Sequence, residues 1–116
     1  MQKPGEEGYD QRIDRLRPDA VLVRHWGAMM HFLERPAGQP RPALHGDFSL
    51  NVTNSLTASY LLGLGLDTLT FSHDLDAAQL SGLLEHAPAH RFTVAHHHHI
   101  ATFHTEHCVY SHTLSN

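Results

Sequence analysis

The stretch LDTLTFSHDLDAAQLSGLLEHAPAHRFTVA, residues 66–95, decides the fold. It opens on LDTLTFS (66–72), whose apolar residues alternate as in a strand. In the polar turn that follows, Asp74 or Asp76 is placed to cap a helix by accepting from its first backbone N–H groups. The helix AAQLSGLLEHA (77–87) is closed by Pro88, whose ring disfavours a helical conformation in the residue before it. A second strand, RFTVA (91–95), comes next. Strands separated by a helix of this length imply βα units in a parallel sheet.

The same rhythm runs upstream. AVLVR (20–24) is a short apolar run, and in WGAMMHFLER (26–35) Trp26, Met29, Met30 and Leu33 fall at helical spacing. PAGQPRP (36–42) is a loop, and ALHGDFSL (43–50) reads as a strand. Asn54 opens a helix that runs to Gly63 or Gly65, where glycine suits the C-cap. The fold class is therefore α/β, with parallel βα repeats forming about half of a TIM-type (β/α) barrel. Closing such a barrel takes eight units in about 250 residues, and the 116 residues here hold four strands. Residues 1–19 read as a polar, loose lead-in ending in one helical turn before Pro18; residues 20–116 form the partial barrel. The fourth strand has no helix after it, so the sheet is expected to need further chain or a partner, and to self-associate through its exposed barrel edges.

Composition narrows the functional classes. The formal charge of −4 leaves no basic footprint for nucleic acid within these residues. No apolar run approaches the 18 or so residues of a membrane span, and the start MQKPGEEGYD lacks the apolar core of a secretory signal. One cysteine excludes an internal disulfide and suits the cytoplasm. The sequon at Asn51-Val52-Thr53 is then a chance match.

In parallel α/β sheets the chemistry gathers at the carboxyl ends of the strands. Those ends carry His25, then Asp47, Ser49 and Asn51, then Ser72, His73 and Asp74, and finally His96 to His99. Polar, titratable groups thus recur in all four units. Taken singly, Asp47 and Asp74 read first as caps or solvated carboxylates, and Asn51 and Asn54 as turn and cap residues. Taken together, Asp47, Asn51, Asp74 and His98 are the candidates to line a catalytic mouth.

The last strand leads into AHHHHIATFHTEHC, residues 95–108. Its four consecutive histidines lie inside the chain and are no terminal tag. Along an extended strand His96 and His98 point to one side and His97 and His99 to the other. His104, Glu106, His107 and Cys108 are all ligand types for zinc or another divalent metal. Their spacing matches neither a closed zinc pattern nor HExxH. Histidines packed in a barrel mouth and bonded to one another and water are an equally good reading. Cys108 beside His107 is a poor nucleophile–base pair, because adjacent residues seldom turn their side chains toward each other.

From about Ala20 onward the chain resembles the peptidase U32 family, the collagenase-like proteases. The resemblance rests on HGDFSLNVTNSLTASYLLGLGLDTLTFSHDL (45–75) and HHHHIATFHTEHCVYSHTLSN (96–116). In relatives the second block reads like HHHMPMFHMEHCVFAAFLS and is followed by a CGRPC-like segment. The resemblance implies a TIM-type barrel several times longer than this stretch and a peptidase acting on a peptide or protein substrate. It also implies an alternative, since some relatives hydroxylate RNA bases or quinone precursors with an iron–sulfur cluster. Cys108 then matches the first cysteine of the cluster motif, as one ligand of a [4Fe–4S] centre in the longer protein, with His104 and His107 lining the same site. Such a centre takes four thiolates, and the chain has one cysteine. No cofactor and no activity are therefore expected of these residues alone, which would be an inactive half-barrel needing a partner. Thr105, Ile100-Ala101-Thr102 and Ser111-His112-Thr113 depart from the family pattern and make the mouth more polar.

Overall fold

The computed structural model describes residues 8–36, 38–101 and 109–114. Four strands, β1 (Ala20–Val23), β2 (Ala43–Gly46), β3 (Thr68–Thr70) and β4 (Phe92–Thr93), form one sheet in the order β1-β2-β3-β4. Every neighbouring pair is parallel. The strands are joined by helices α2 (Trp26–Leu33), α3 (Ser55–Leu64) and α4 (Ala77–Glu85), with α1 (Tyr9–Leu16) ahead of β1 and α5 (Val109–Leu114) near the end. The mixed α/β class and the βα repeat are as the sequence rhythm implies.

The helix ends follow local chemistry. The Asn54 side chain accepts from Thr57 N–H at 2.8 Å and so starts α3. Asp76, rather than Asp74, caps α4: it accepts from Gln79 N–H at 2.8 Å while the Gln79 side chain accepts from Asp76 N–H at 3.0 Å. This reciprocal box satisfies two backbone donors that the first turn leaves unpaired. Gly65 ends α3 at φ 114°, a left-handed conformation that a side chain would strain.

Strand register explains which face is covered. Val23, Gly46 and Leu69 are in register with one another and, with Leu44 and Phe71, are buried against Met29, Phe32, Ala58 and Leu61 of the helices. Gly46 is required by this packing, since a Cβ there would lie 2.7 Å from Leu69 Cδ2. The alternate residues Leu22, His45, Thr68, Thr70 and Thr93 point to the other face, where Leu22 is exposed and His45 Nδ1 lies 2.6 Å from Thr68 Oγ1. That face carries small polar groups in place of a second aliphatic core.

Several expectations are adjusted. Of the strand read over 91–95 only Phe92–Thr93 pairs, and the short helix α5 stands after it where no helix was expected. The strand read over 43–50 stops at Gly46, because Asp47 turns toward Arg24 and Phe48–Leu50 forms a 3-10 turn ended by Asn51 at φ 55°. Pairing resumes at Val52 against Phe71. Continuing the Gly46–Leu69 register would have put residue 48 there, so four residues (52 − 48) are inserted at the carboxyl edge of β2. The lead-in holds the two-turn helix α1 where one turn was expected. Asp14 of α1 ties it down by accepting from Arg35 and lying 2.8 Å from His31 Nε2 of α2.

Candidate functional site

The four-residue insertion pushes Phe48 and Ser49 out over the carboxyl end of the sheet, and the neighbouring strand ends meet them there. Arg24, just past β1, donates from Nε to Asp47 Oδ2 at 2.9 Å. Ser49 donates to the Arg24 carbonyl at 2.8 Å and lies 3.4 Å from the same carboxylate oxygen. Asp47 is the one buried charged residue among those described, at 8% exposure, and a buried carboxylate needs such partners. Its role is to hold the β1 and β2 ends together. The Arg24 side chain is 64% exposed and gives only Nε to Asp47, which leaves its other donors for a ligand.

The second group is aromatic. Phe48 from the insertion packs on His73 past β3, with ring centroids 4.3 Å apart, and on His98 past β4 at 5.0 Å. His73 and His98 themselves stack at 5.2 Å. Three chain segments from three strand ends thus converge on one cluster, and Arg24 stands 5.9 Å from the Phe48 ring centre. His73 Nε2 is buried and has no hydrogen-bond partner among the described residues. A buried nitrogen left unpaired costs on the order of 1–3 kcal/mol, and His73 is the described residue that carries such an atom.

The sequence candidates divide accordingly. Asp47 and His98 enter the site. Asp74 is exposed and accepts from Ser72 Oγ–H at 3.2 Å, forming a small turn beside His73. Asn51 is exposed and serves the turn through its left-handed backbone. His25 is an N-cap, its Nδ1 accepting from Ala28 N–H at 3.2 Å. His97 and His99 contact each other at 5.2 Å; β4 ends at Thr93, so the run does not continue the strand on which an odd–even split of its side chains was expected. His104, Glu106, His107 and Cys108 lie outside the described residues. Among the described residues no three His, Cys, Asp or Glu side chains gather in a metal-holding group. His73 carries more of the cluster than the sequence suggested, and its signal was its place directly after a strand.

A groove of about 640 Å³ lies at the opposite, amino end of the sheet, lined by Asp14, Arg17, Arg35 and Arg41 among others. Arg35 is committed there to Asp14 and, at 2.8 Å, to the Pro40 carbonyl. The carboxyl termini of α1 and α3 also end on this side, and their unpaired carbonyls favour cations as neighbours. Arg35 is thereby accounted for as a brace between α1 and the loop before β2.

No family model, curated protein or solved structure matches the chain.

Proposed function

We propose that the sheet is part of a U32-type (β/α) barrel and that its carboxyl end is one side of a peptidase active face. The observation that carries this reading is the convergence of Arg24, Asp47, His73 and His98 from all four strand ends. In this scheme one proton of a water attacking a peptide carbonyl passes to the imidazole pair of His73 and His98. It is returned to the leaving amine nitrogen as the C–N bond breaks, and His98, the exposed member, meets the substrate. Arg24, held by Asp47, supplies donors for the oxygen on which negative charge develops. Asp74 and Asn51 shape the rim.

The cluster-dependent alternative, hydroxylation of RNA or a quinone precursor, needs four thiolates, and the chain supplies Cys108 alone. These residues do not by themselves fit a [4Fe–4S] centre, and no step is assigned to one. A zinc role for His104, His107 and Cys108 and a cytoplasmic location belong to the same proposal. Among the described residues no helix is long and apolar enough to cross a membrane.

The test is hydrolysis of quenched fluorescent gelatin peptides by the longer barrel protein that the U32 reading implies, in which these residues are one part, alongside iron and sulfide analysis. Every turnover measurement is made on that protein. Peptide cleavage that falls by about 100-fold or more in His98→Ala supports the reading. Iron and acid-labile sulfide in the protein, with no peptide cleavage, would replace it with the hydroxylase alternative.

A further inference from the structure

The groove at the amino end of the sheet holds positive charge that the described residues leave uncompensated. Arg17, Arg35 and Arg41 all line it. Arg35 is taken up by Asp14 and the Pro40 carbonyl. The side chains of Arg17 and Arg41 make no hydrogen bond or ion pair among the described residues, and neither does the carboxylate of Asp19 beside them. Two guanidiniums and one carboxylate are therefore open to a ligand, in a chain whose net charge is −4.

Both guanidiniums are placed by the backbone. Arg17 ends α1 at φ 48° and ψ 55°, the left-handed conformation in which α3 ends on Gly65. A side chain is disfavoured there and glycine is the usual residue. An arginine thus stands where the local backbone favours glycine, and it lines the groove. Arg41 lies between Pro40 and Pro42, whose rings restrict the chain on both sides of it. Its guanidinium crosses Gly65, where a Cβ would lie 3.0 Å from Nη1 and 3.9 Å from Cζ. The seat of Arg41 exists because residue 65 has no side chain.

We infer that this groove binds a small phosphate monoester carrying hydroxyl groups. Forked guanidinium donors match the oxygens of a phosphate, and two positive charges match its dianion. Asp19 accepts from a hydroxyl on the body of the ligand and would repel a second phosphate, which excludes a polyanion. A volume of about 640 Å³ has room for such a molecule. None of these residues belongs to the cluster at the carboxyl end, so the inference stands apart from the peptidase reading.

Every residue of the argument lies between Asp14 and Gly65, and the chain itself is titrated by calorimetry and phosphorus NMR. Glycerol phosphate should saturate in about the millimolar range or below, inorganic phosphate should bind more weakly, and glycerol should not bind. Arg41→Ala and Arg17→Gly should each weaken glycerol phosphate by about tenfold or more. Arg17→Gly should also unfold at no lower a urea concentration than the parent, because glycine is at ease in that conformation. Arg12→Ala removes the same charge from α1 outside the groove and should leave binding unchanged. Failure of both phosphates to saturate would overturn the inference, as would an equal loss in Arg12→Ala. Inorganic phosphate binding as tightly as glycerol phosphate would make this a free-phosphate site and overturn the ester.

Discussion

The two ends of the sheet are built from the same residue types and use them differently. At the amino end every described charge with a bond is spent on the chain itself. Arg91 donates from Nε to the Asp67 carbonyl at 2.8 Å and from Nη2 to the Leu66 carbonyl, locking the start of β4 onto the start of β3. Asp67 in turn joins β3 to β2, its carboxylate accepting from Leu44 N–H and its own N–H donating to the Leu44 carbonyl, both at 2.8 Å. At the carboxyl end Arg24 is largely exposed, His98 faces solvent and His73 holds a buried nitrogen with no partner among the described residues. The bonded charges of the amino end are Asp14, Arg35, Asp67 and Arg91, whereas the carboxyl end leaves donors of Arg24 and His73 Nε2 open among the described residues. Open groups of this kind lower stability, and their persistence beside converging strand ends is what points to function.

The largest expected effect lies at the open end. His73→Ala should cut peptide turnover by roughly 10²–10⁴-fold while changing stability little, since only aromatic contacts are lost; parallel turnover and denaturant titration check this. At the closed end, Asp67→Ala strands the N–H of fully buried Leu44. It should cost about 1–3 kcal/mol, with turnover per folded molecule unchanged. Next comes Asp76→Ala, which removes the capping box of α4 and should cost about 1 kcal/mol in urea unfolding. Smallest in stability is Arg24→Ala, whose ion pair has one largely exposed partner and contributes under about 1 kcal/mol. Loss of the donors assigned to the developing oxyanion should nonetheless lower turnover about 10²–10³-fold.

How much of this contrast was legible in the residues depends on the range of the interactions. The cap at Asn54 is set within one turn of chain and stands where the sequence placed it, while Asp76 and Gly65 are each one of two positions the sequence offered, beside Asp74 and Gly63. The end of β2 was not legible, because the alternation in ALHGDFSL carries on past Gly46. What breaks it is the bond from Asp47 to Arg24, 23 residues earlier. Helix α1 was likewise hidden, as its anchor at Asp14 reaches His31 and Arg35, 17 and 21 residues on. At the site, Asp47 and His98 were found by their position after strands, but the pairing of His98 with His73 and Phe48 is long-range. His104, His107 and Cys108 remain readings of sequence alone.

The division of labour between the two ends is tested most directly by melting His73→Ala and Asp67→Ala side by side and assaying both for peptide hydrolysis. The account predicts that Asp67→Ala melts lower, by about 4 °C for each kcal/mol lost, and hydrolyses peptides as the parent does. His73→Ala should melt with the parent and hydrolyse nothing. A His73→Ala protein that is fully active and melts as low as Asp67→Ala would contradict it, and would make the histidine cluster part of the fold's support.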